Sequence, residues 1–294
     1  MQKEVSEYLD YLQKQRNYSL FTINNYKHDL ALYQTFLEEE LIDYKEIDYP
    51  LIHGLFHFLD KRHLSNTSVA RITSSIRGFY RYLVNKKVLE ANPFLLVSTP
   101  SKEKKLPKFL YENEINALLG VDDTTTLGKR DHLIVLILYA TGLRVSELVN
   151  IKLQDIDLIA MNIKVLGKGN KERYVYFQEK VKKELLHYLK SVRIFLDKKK
   201  SDYLFLNKNG GNLSTSGVRL ILNKLINKAS LQFKISPHVL RHTFATHLLN
   251  NGCDITSVQT LLGHTSLKAT QIYTHVTNEH LKEIYQHTHP RSLK

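Results

Sequence analysis

Apolar residues recur three and four positions apart through the first third of the chain, and that period commits it to packed helices. Val5, Tyr8, Leu9 and Leu12 share one face of Val5–Gln15, and Ile23, Tyr26, Leu30, Tyr33 and Leu37 share one face of Thr22–Leu37. The same spacing runs through Pro50–Arg62 and Asn66–Asn85, with Ser19, Asn66 and Pro50 where caps and first-turn prolines belong. Residues 1–92 therefore read as a small helical bundle. Only 12 glycines and 6 prolines in 294 residues, with 43% hydrophobic residues, point the whole chain towards helix and supply cores for two domains.

Between Asn92 and Pro107 the period lapses. Pro93, Pro100 and Pro107 bracket Lys102, Lys104 and Lys105, which reads as an extended basic linker over residues 93–107. From 108 to 294 helices alternate with a short β-region. Glu112–Leu119 is one expected helix, Asp131–Ala140 a buried one, and Gly142 a stop before a helix that begins near Arg144. Ile163–Leu166 and Arg173–Phe177 flank Gly167–Lys171 as a hairpin, and Tyr203–Leu206 reads as a third strand. Val181–Leu196 and the chain after Ser214 are expected to be helical. The fold class is mainly α with a small antiparallel β-sheet.

The single cysteine, Cys253, excludes a disulfide framework and any multi-thiolate metal site, and it favours a reducing compartment. The opening MQKEVSEYLDYLQKQ lacks the basic and apolar regions of a secretory signal. The longest apolar run, Leu133–Ala140, is far below the ~20 residues that span a bilayer. A cytoplasmic protein without a membrane role is expected.

The formal charge of +13 implies a polyanionic partner. Met1–Ser98 holds twelve basic and twelve acidic residues, so the whole excess lies beyond it. Within the neutral third the signs still segregate, acidic around Glu38–Asp48 and basic around Arg71–Lys87. Ser74, Arg77 and Arg81 share a face of the fourth helix, either a solvated charged face or one that contacts phosphates.

Several chemistry-bearing residues stand alone as weak signals. Ser236-Pro237 opens a helix that places His238 and Arg241 on one face near an anion-favouring N-terminus. His238 and His242 have the spacing of a zinc-protease helix, but Val239 occupies the place of its glutamate base; His247 leaves a different histidine-rich metal set open. Arg144 follows a helix-breaking glycine and can serve a phosphate or pair with Glu147. Lys168 tips the hairpin without the order of a nucleotide-binding P-loop, His264 follows a helix end at Leu261-Leu262-Gly263, and Tyr273 is one of 17 tyrosines.

Taken in order, Arg144, Lys168, His238-x-x-Arg241, Leu-Gly-His264 and Tyr273 in Gln-Ile-Tyr-Thr-His275 resemble the tyrosine site-specific recombinases of the phage-integrase family. Ala140–Val149, Gly167–Arg173, His238–Leu249 and the His-Pro-Arg291 ending are similar to its Xer branch. The resemblance implies a helical core-binding domain and a recombinase catalytic domain that clamp double-stranded DNA, with no metal or cofactor. It implies Tyr273 as nucleophile forming a 3′-phosphotyrosyl bond, Arg144 and Arg241 clamping the non-bridging oxygens, and His264 adding a hydrogen bond. Lys168 is then the general acid, His238 the proton acceptor, and Glu147 an orienting residue behind them. Arg71, Ser74, Arg77, Arg81, Lys102, Lys104 and Lys105 become expected DNA contacts. Asn278–His289, with Leu281, Ile284 and Tyr285 at helical spacing, is expected to dock on a neighbouring protomer of a tetrameric synapse formed with copies or a paralogue. A DNA translocase or accessory activator is a further expected partner, with the protein at the nucleoid. The implied role is resolution of chromosome or plasmid multimers at a dif-like site during segregation. The rivals are a mobile-element integrase or resolvase, a type IB topoisomerase and a catalytically silent DNA-binding factor.

Overall fold

The computed structural model describes residues 1–99, 109–167, 171–231, 235–263 and 278–290, the side chains of 278–280 excepted. The chain divides into two compact units, Met1–Lys105 and Leu106–Lys294.

The first unit is four helices, α1 (Gln2–Lys14), α2 (Leu20–Glu39), α3 (Tyr49–Lys61) and α4 (Asn66–Asn85). Side-chain caps start the last three: Ser19 accepts from Thr22 N–H, Asp48 from Leu51 N–H ahead of Pro50, and Ser65 from Ser68 N–H. The α4 cap is thus Ser65, one residue before the expected Asn66. The core is unusually aromatic, with Tyr33, Phe36, Phe79, Tyr80 and Phe94 fully buried. Its phenols are satisfied internally, since Tyr33 and Tyr80 share a 2.6 Å hydrogen bond and the Tyr80 hydroxyl donates to the Tyr44 carbonyl at 2.5 Å.

On the outer face of α4, Arg71, Ser74 and Arg81 are exposed. Arg71 is oriented by the buried carboxylate of Asp29, which also accepts from Ser75 Oγ at 2.7 Å. Arg77 is different from the expectation for a DNA contact. Its Nε donates to the Phe94 carbonyl at 2.8 Å and an Nη to Val97 at 2.6 Å, because the chain leaving α4 turns back across this residue and needs its carbonyls paired. Lys102, Lys104 and Lys105 lie outside the described residues.

The second unit is organised on α6 (Thr126–Thr141), buried from Leu133 to Thr141 and preceded by α5 (Glu112–Leu119). The short α7 (Val145–Val149) follows, then a three-stranded antiparallel sheet in the order β1 (Ile156–Asp157), β2 (Asn162–Leu166), β3 (Glu172–Tyr176). Ile163 pairs with Val175 and Val165 with Arg173. The third strand of the sheet is therefore Ile156–Asp157 and not Tyr203–Leu206. Leu204, Phe205 and Leu206 are all fully buried, so they lack the one-sided alternation of a sheet edge. Their backbone is satisfied by Ile151, Leu213 and an isolated bridge from Leu206 to Asn212. The expected single helix over 181–196 is α8 (Glu179–Tyr188), a π-helical turn Leu189–Arg193 and the short α9 (Ile194–Leu196). The wider turn carries Arg193, whose guanidinium donates to the Tyr203 carbonyl.

Helices α10 (Thr215–Lys228), α11 (Pro237–Asn250), α12 (Ile255–Leu262) and α13 (Asn278–Thr288) complete the unit. The C-terminal helix, expected to dock on a neighbour, covers its own domain in the single chain. Leu281 and Tyr285 are buried in a cluster with Tyr176, Phe244, Leu248, Val258, Leu261 and Leu262. The Tyr285 hydroxyl donates to the Ala140 carbonyl at 2.9 Å, and buried His289 lies against the rings of Tyr139, Phe244 and Tyr285. The same apolar spacing that suits a neighbour's surface is satisfied in cis, because α11 and α12 present an apolar face to α13. Tyr285→Ala is expected to destabilise this domain by about 3–5 kcal/mol in urea unfolding, and Tyr285→Phe by about 1 kcal/mol. A wild-type midpoint for Tyr285→Ala would remove α13 from the core.

Candidate active site

The site is built where four helices end or begin. Helix α6 terminates at Gly142, whose φ of +62° lets its N–H close on the Leu138 carbonyl at 3.1 Å. A Cβ at Gly142 would sit 2.4 Å from the Phe244 ring, so both conformation and space require glycine here. Two residues later Arg144 starts α7, and Glu147 reaches back to accept from the Arg144 backbone N–H at 2.8 Å. Glu147 Oε1 also accepts from the Arg144 guanidinium at 2.9 Å. The ion pair weighed in the sequence is thus present, and it leaves the Arg144 side chain 31% exposed.

Helix α11 begins as the sequence indicates. Ser236 Oγ accepts from Val239 N–H and Pro237 occupies the first turn. His238 is exposed at this N-terminus, and Arg241, one turn on, is buried. Arg241 donates to the Gly142 carbonyl at 2.7 Å and to the Leu262 carbonyl at 2.5 Å. These carbonyls belong to the ends of α6 and α12, where helix dipoles favour a cation. Burial, and then the neighbouring charge of Arg144, bring the Arg241 pKa down to about 10, which still leaves the group protonated at neutral pH.

Asp254 caps α12, and Gly263 closes it with φ of +65°. The Gly263 carbonyl accepts from Arg144 at 3.4 Å, so Arg144 and Arg241 meet at the adjacent carbonyls of residues 263 and 262. Two of the five guanidinium donors of Arg241 are engaged by these carbonyls.

One residue beside Glu147 had no role in the sequence reading. Arg173, at the start of β3, donates to Glu147 through both terminal nitrogens, at 2.7 and 2.9 Å. The signal was available in the strand period: Glu172 and Tyr174 are exposed, whereas Arg173 and Val175 turn inward, and a cation at an inward position needs a buried partner. Glu147 is that partner. Burial works to raise its pKa, but the hydrogen bonds and charge of Arg173, with those of Arg144, outweigh it and hold the carboxyl below its ordinary value.

Lys168, His264 and Tyr273 lie outside the described residues. His247 is buried and hydrogen-bonded to the Tyr139 hydroxyl at 2.9 Å, and among the described residues no three metal-binding side chains gather.

Arg144, partly exposed, and Arg241, buried, thus converge beside the Glu147 carboxylate at the ends of α6 and α12. The model of the phage integrase family matches residues 108–280, and that of its N-terminal SAM-like domain matches residues 5–87. The chain belongs to the phage integrase family. It is 46% identical over 290 residues to the tyrosine recombinase XerC of Anoxybacillus flavithermus and 47% identical over 291 residues to that of Listeria innocua, covering 97% of both chains each time. Among solved structures, the XerA recombinase is 34% identical with a TM-score of 0.50, covering 96% of this chain and 97% of its own. The XerH recombinase bound to a palindromic difH substrate, in a post-cleavage complex, is 26% identical with a TM-score of 0.71, covering 95% and 83%. This recombinase is thus of the Xer type, an enzyme of DNA strand transfer.

Proposed function

We propose that this recombinase cuts and rejoins DNA at a short dif-like site and resolves chromosome or plasmid multimers during segregation. The observation that carries the reading is the meeting of Arg144 and Arg241 at the carbonyls of residues 262 and 263, which leaves two cations facing one phosphate. Cleaving a phosphodiester without water requires a nucleophile, neutralisation of the non-bridging oxygens and a proton for the leaving oxygen. Tyr273 attacks phosphorus through its phenolic oxygen and gives its proton to His238. The bond to the 5′-oxygen breaks, and Lys168 protonates that oxygen. Arg144, Arg241 and His264 hold the phosphate, with Glu147 behind them. The phosphotyrosyl bond conserves the energy of the broken ester, so a 5′-hydroxyl from a partner strand reverses the steps without ATP.

Residues 1–92 serve as the core-binding domain, 93–107 as the linker and 108–294 as the catalytic domain. Arg71, Ser74, Arg81, Lys102, Lys104 and Lys105 contact DNA, while Arg77 acts within its own domain. Four protomers, all copies of this chain or shared with a paralogue, make the synapse, and a translocase or accessory protein activates it. Among the described residues no helix is long and apolar enough to cross a membrane, which agrees with a cytoplasmic, nucleoid-bound protein.

A dif-like duplex nicked beside the cleavage position tests this reading. The short 5′-hydroxyl fragment diffuses away, so an SDS-stable protein–DNA adduct is expected to accumulate. A gel shift without adduct on any such site would leave only a DNA-binding role.

A further inference from the structure

Glu147 accepts four hydrogen bonds among the described residues. Its carboxylate, 3% exposed, takes the Arg144 backbone N–H, the Arg144 guanidinium and both terminal nitrogens of Arg173. Arg173 gives Glu147 two bonds where the Arg144 side chain gives one, and its own side chain is only 15% exposed. The pair is therefore Arg173–Glu147, with Arg144 attached to its edge. Arg173 also fills the space beneath the end of α12: a Cβ on Gly263 would lie 2.8 Å from its Cδ and 2.9 Å from its Nε. That Nε finds no hydrogen-bond partner among the described residues.

The guanidiniums of Arg144 and Arg173 both bond Glu147, and that of Arg241 stands near enough to feel its charge, so three cations against one carboxylate leave a surplus of two positive charges for an incoming phosphate. Without Arg173 the buried carboxylate would have Arg144 as its nearest cation. A buried carboxylate with one cation beside it binds that cation strongly, because leaving it unpaired is costly. Arg144 would then be drawn onto Glu147 and lost to the substrate.

We propose that Arg173 is a positioning residue for strand cleavage, which takes up most of the charge of Glu147 and so lets the guanidinium of Arg144, held by one bond at the edge of that carboxylate, clamp the scissile phosphate. This rests on the reading of Arg144 as a phosphate clamp and adds to it the group that keeps the clamp charged.

A neutral phosphate separates this role from a merely structural one. In a methylphosphonate substrate one non-bridging oxygen is replaced by methyl, so the charge that Arg144 neutralises is absent. Single-turnover adduct formation would be measured on both substrates for the wild type, Arg173→Ala, Arg173→Lys and Arg144→Ala, with DNA affinity and thermal unfolding alongside. Arg173→Ala is expected to lose about 100-fold on the phosphodiester and to come within about fivefold of the wild type on the methylphosphonate, as Arg144→Ala should. Arg173→Lys, which keeps the charge but not the twin hydrogen bonds, should fall between, and it carries the comparison if Arg173→Ala fails to fold. Equal losses for the Arg173 variants on both substrates, or cleavage near the wild-type rate, would overturn the proposal. If Arg144→Ala regains activity on the methylphosphonate and the Arg173 variants do not, the proposal alone fails. Equal losses for Arg144→Ala would remove the clamp reading and this proposal with it.

Discussion

Tyr273→Phe is expected to abolish the covalent adduct, lowering single-turnover cleavage by at least about 10⁴-fold while DNA affinity stays within a few-fold. The substitution removes one oxygen, the atom that bonds to phosphorus, and keeps the ring. The described structure gives a reason why the loss should be confined to chemistry. The chain on either side of residues 264–277 has contacts of its own: Gly263 closes α12 against Arg144 and Arg173, and α13 is anchored by Tyr285 on the Ala140 carbonyl. Denaturing electrophoresis with labelled nicked DNA checks the outcome, and substantial adduct from the variant would transfer the nucleophile to another residue.

The helices were legible because their apolar period is long and their caps are explicit. Tyr8 and Leu12 on α1, or Ser236 and Pro237 at the start of α11, need no tertiary information to be read. Legibility failed where tertiary packing chose between two uses of one pattern. Leu204–Leu206 has the composition of a strand, but full burial on every side directs its backbone to Ile151 and Leu213. Ile156–Asp157 is a strand of two residues, too short for any alternation to show. The stripe of Leu281, Ile284 and Tyr285 marks α13 as a packing helix without saying whose surface it covers. Arg77 looks like its neighbours Arg71 and Arg81 until the chain after α4 returns across it.

For the site, the spacing of single residues was uninformative and their order was informative. Arg144 and Arg241 are 97 positions apart, and only the paired endings of α6 and α12 bring them together. Both endings were visible as Leu-Arg after Gly142 and as Leu-Gly at 262–263, since a left-handed glycine cap is a sequence-level stop. Arg173 escaped notice because a charged residue beside a lysine-bearing turn reads as solvated unless the strand's inward register is followed through it.

Arg241→Ala and Arg241→Lys should separate the two duties of this side chain. In the folded protein the guanidinium pairs the carbonyls of Gly142 and Leu262, and alanine leaves both without their donor, at about 1–3 kcal/mol each. Cleavage should fall further than stability does. A clamp that strengthens as negative charge develops on the phosphate is worth about 10²–10³-fold or more, and alanine removes it entirely, so a loss of at least about 10³-fold is expected. Lysine restores the positive charge beside Arg144 but offers a single nitrogen. It can satisfy part of the carbonyl pair or reach the phosphate, without the planar fork that does both. Arg241→Lys is therefore expected to unfold close to the wild type and still cleave about 10²-fold more slowly, with DNA binding little changed. The Arg241 pKa of about 10 means that the wild type should owe no pH dependence between 6 and 8 to position 241. Single-turnover rates over that range, read beside urea midpoints, decide the matter. An Arg241→Lys enzyme that cleaves at the wild-type rate would show that charge alone is needed at α11, and the two-carbonyl cradle would then be a device of folding only.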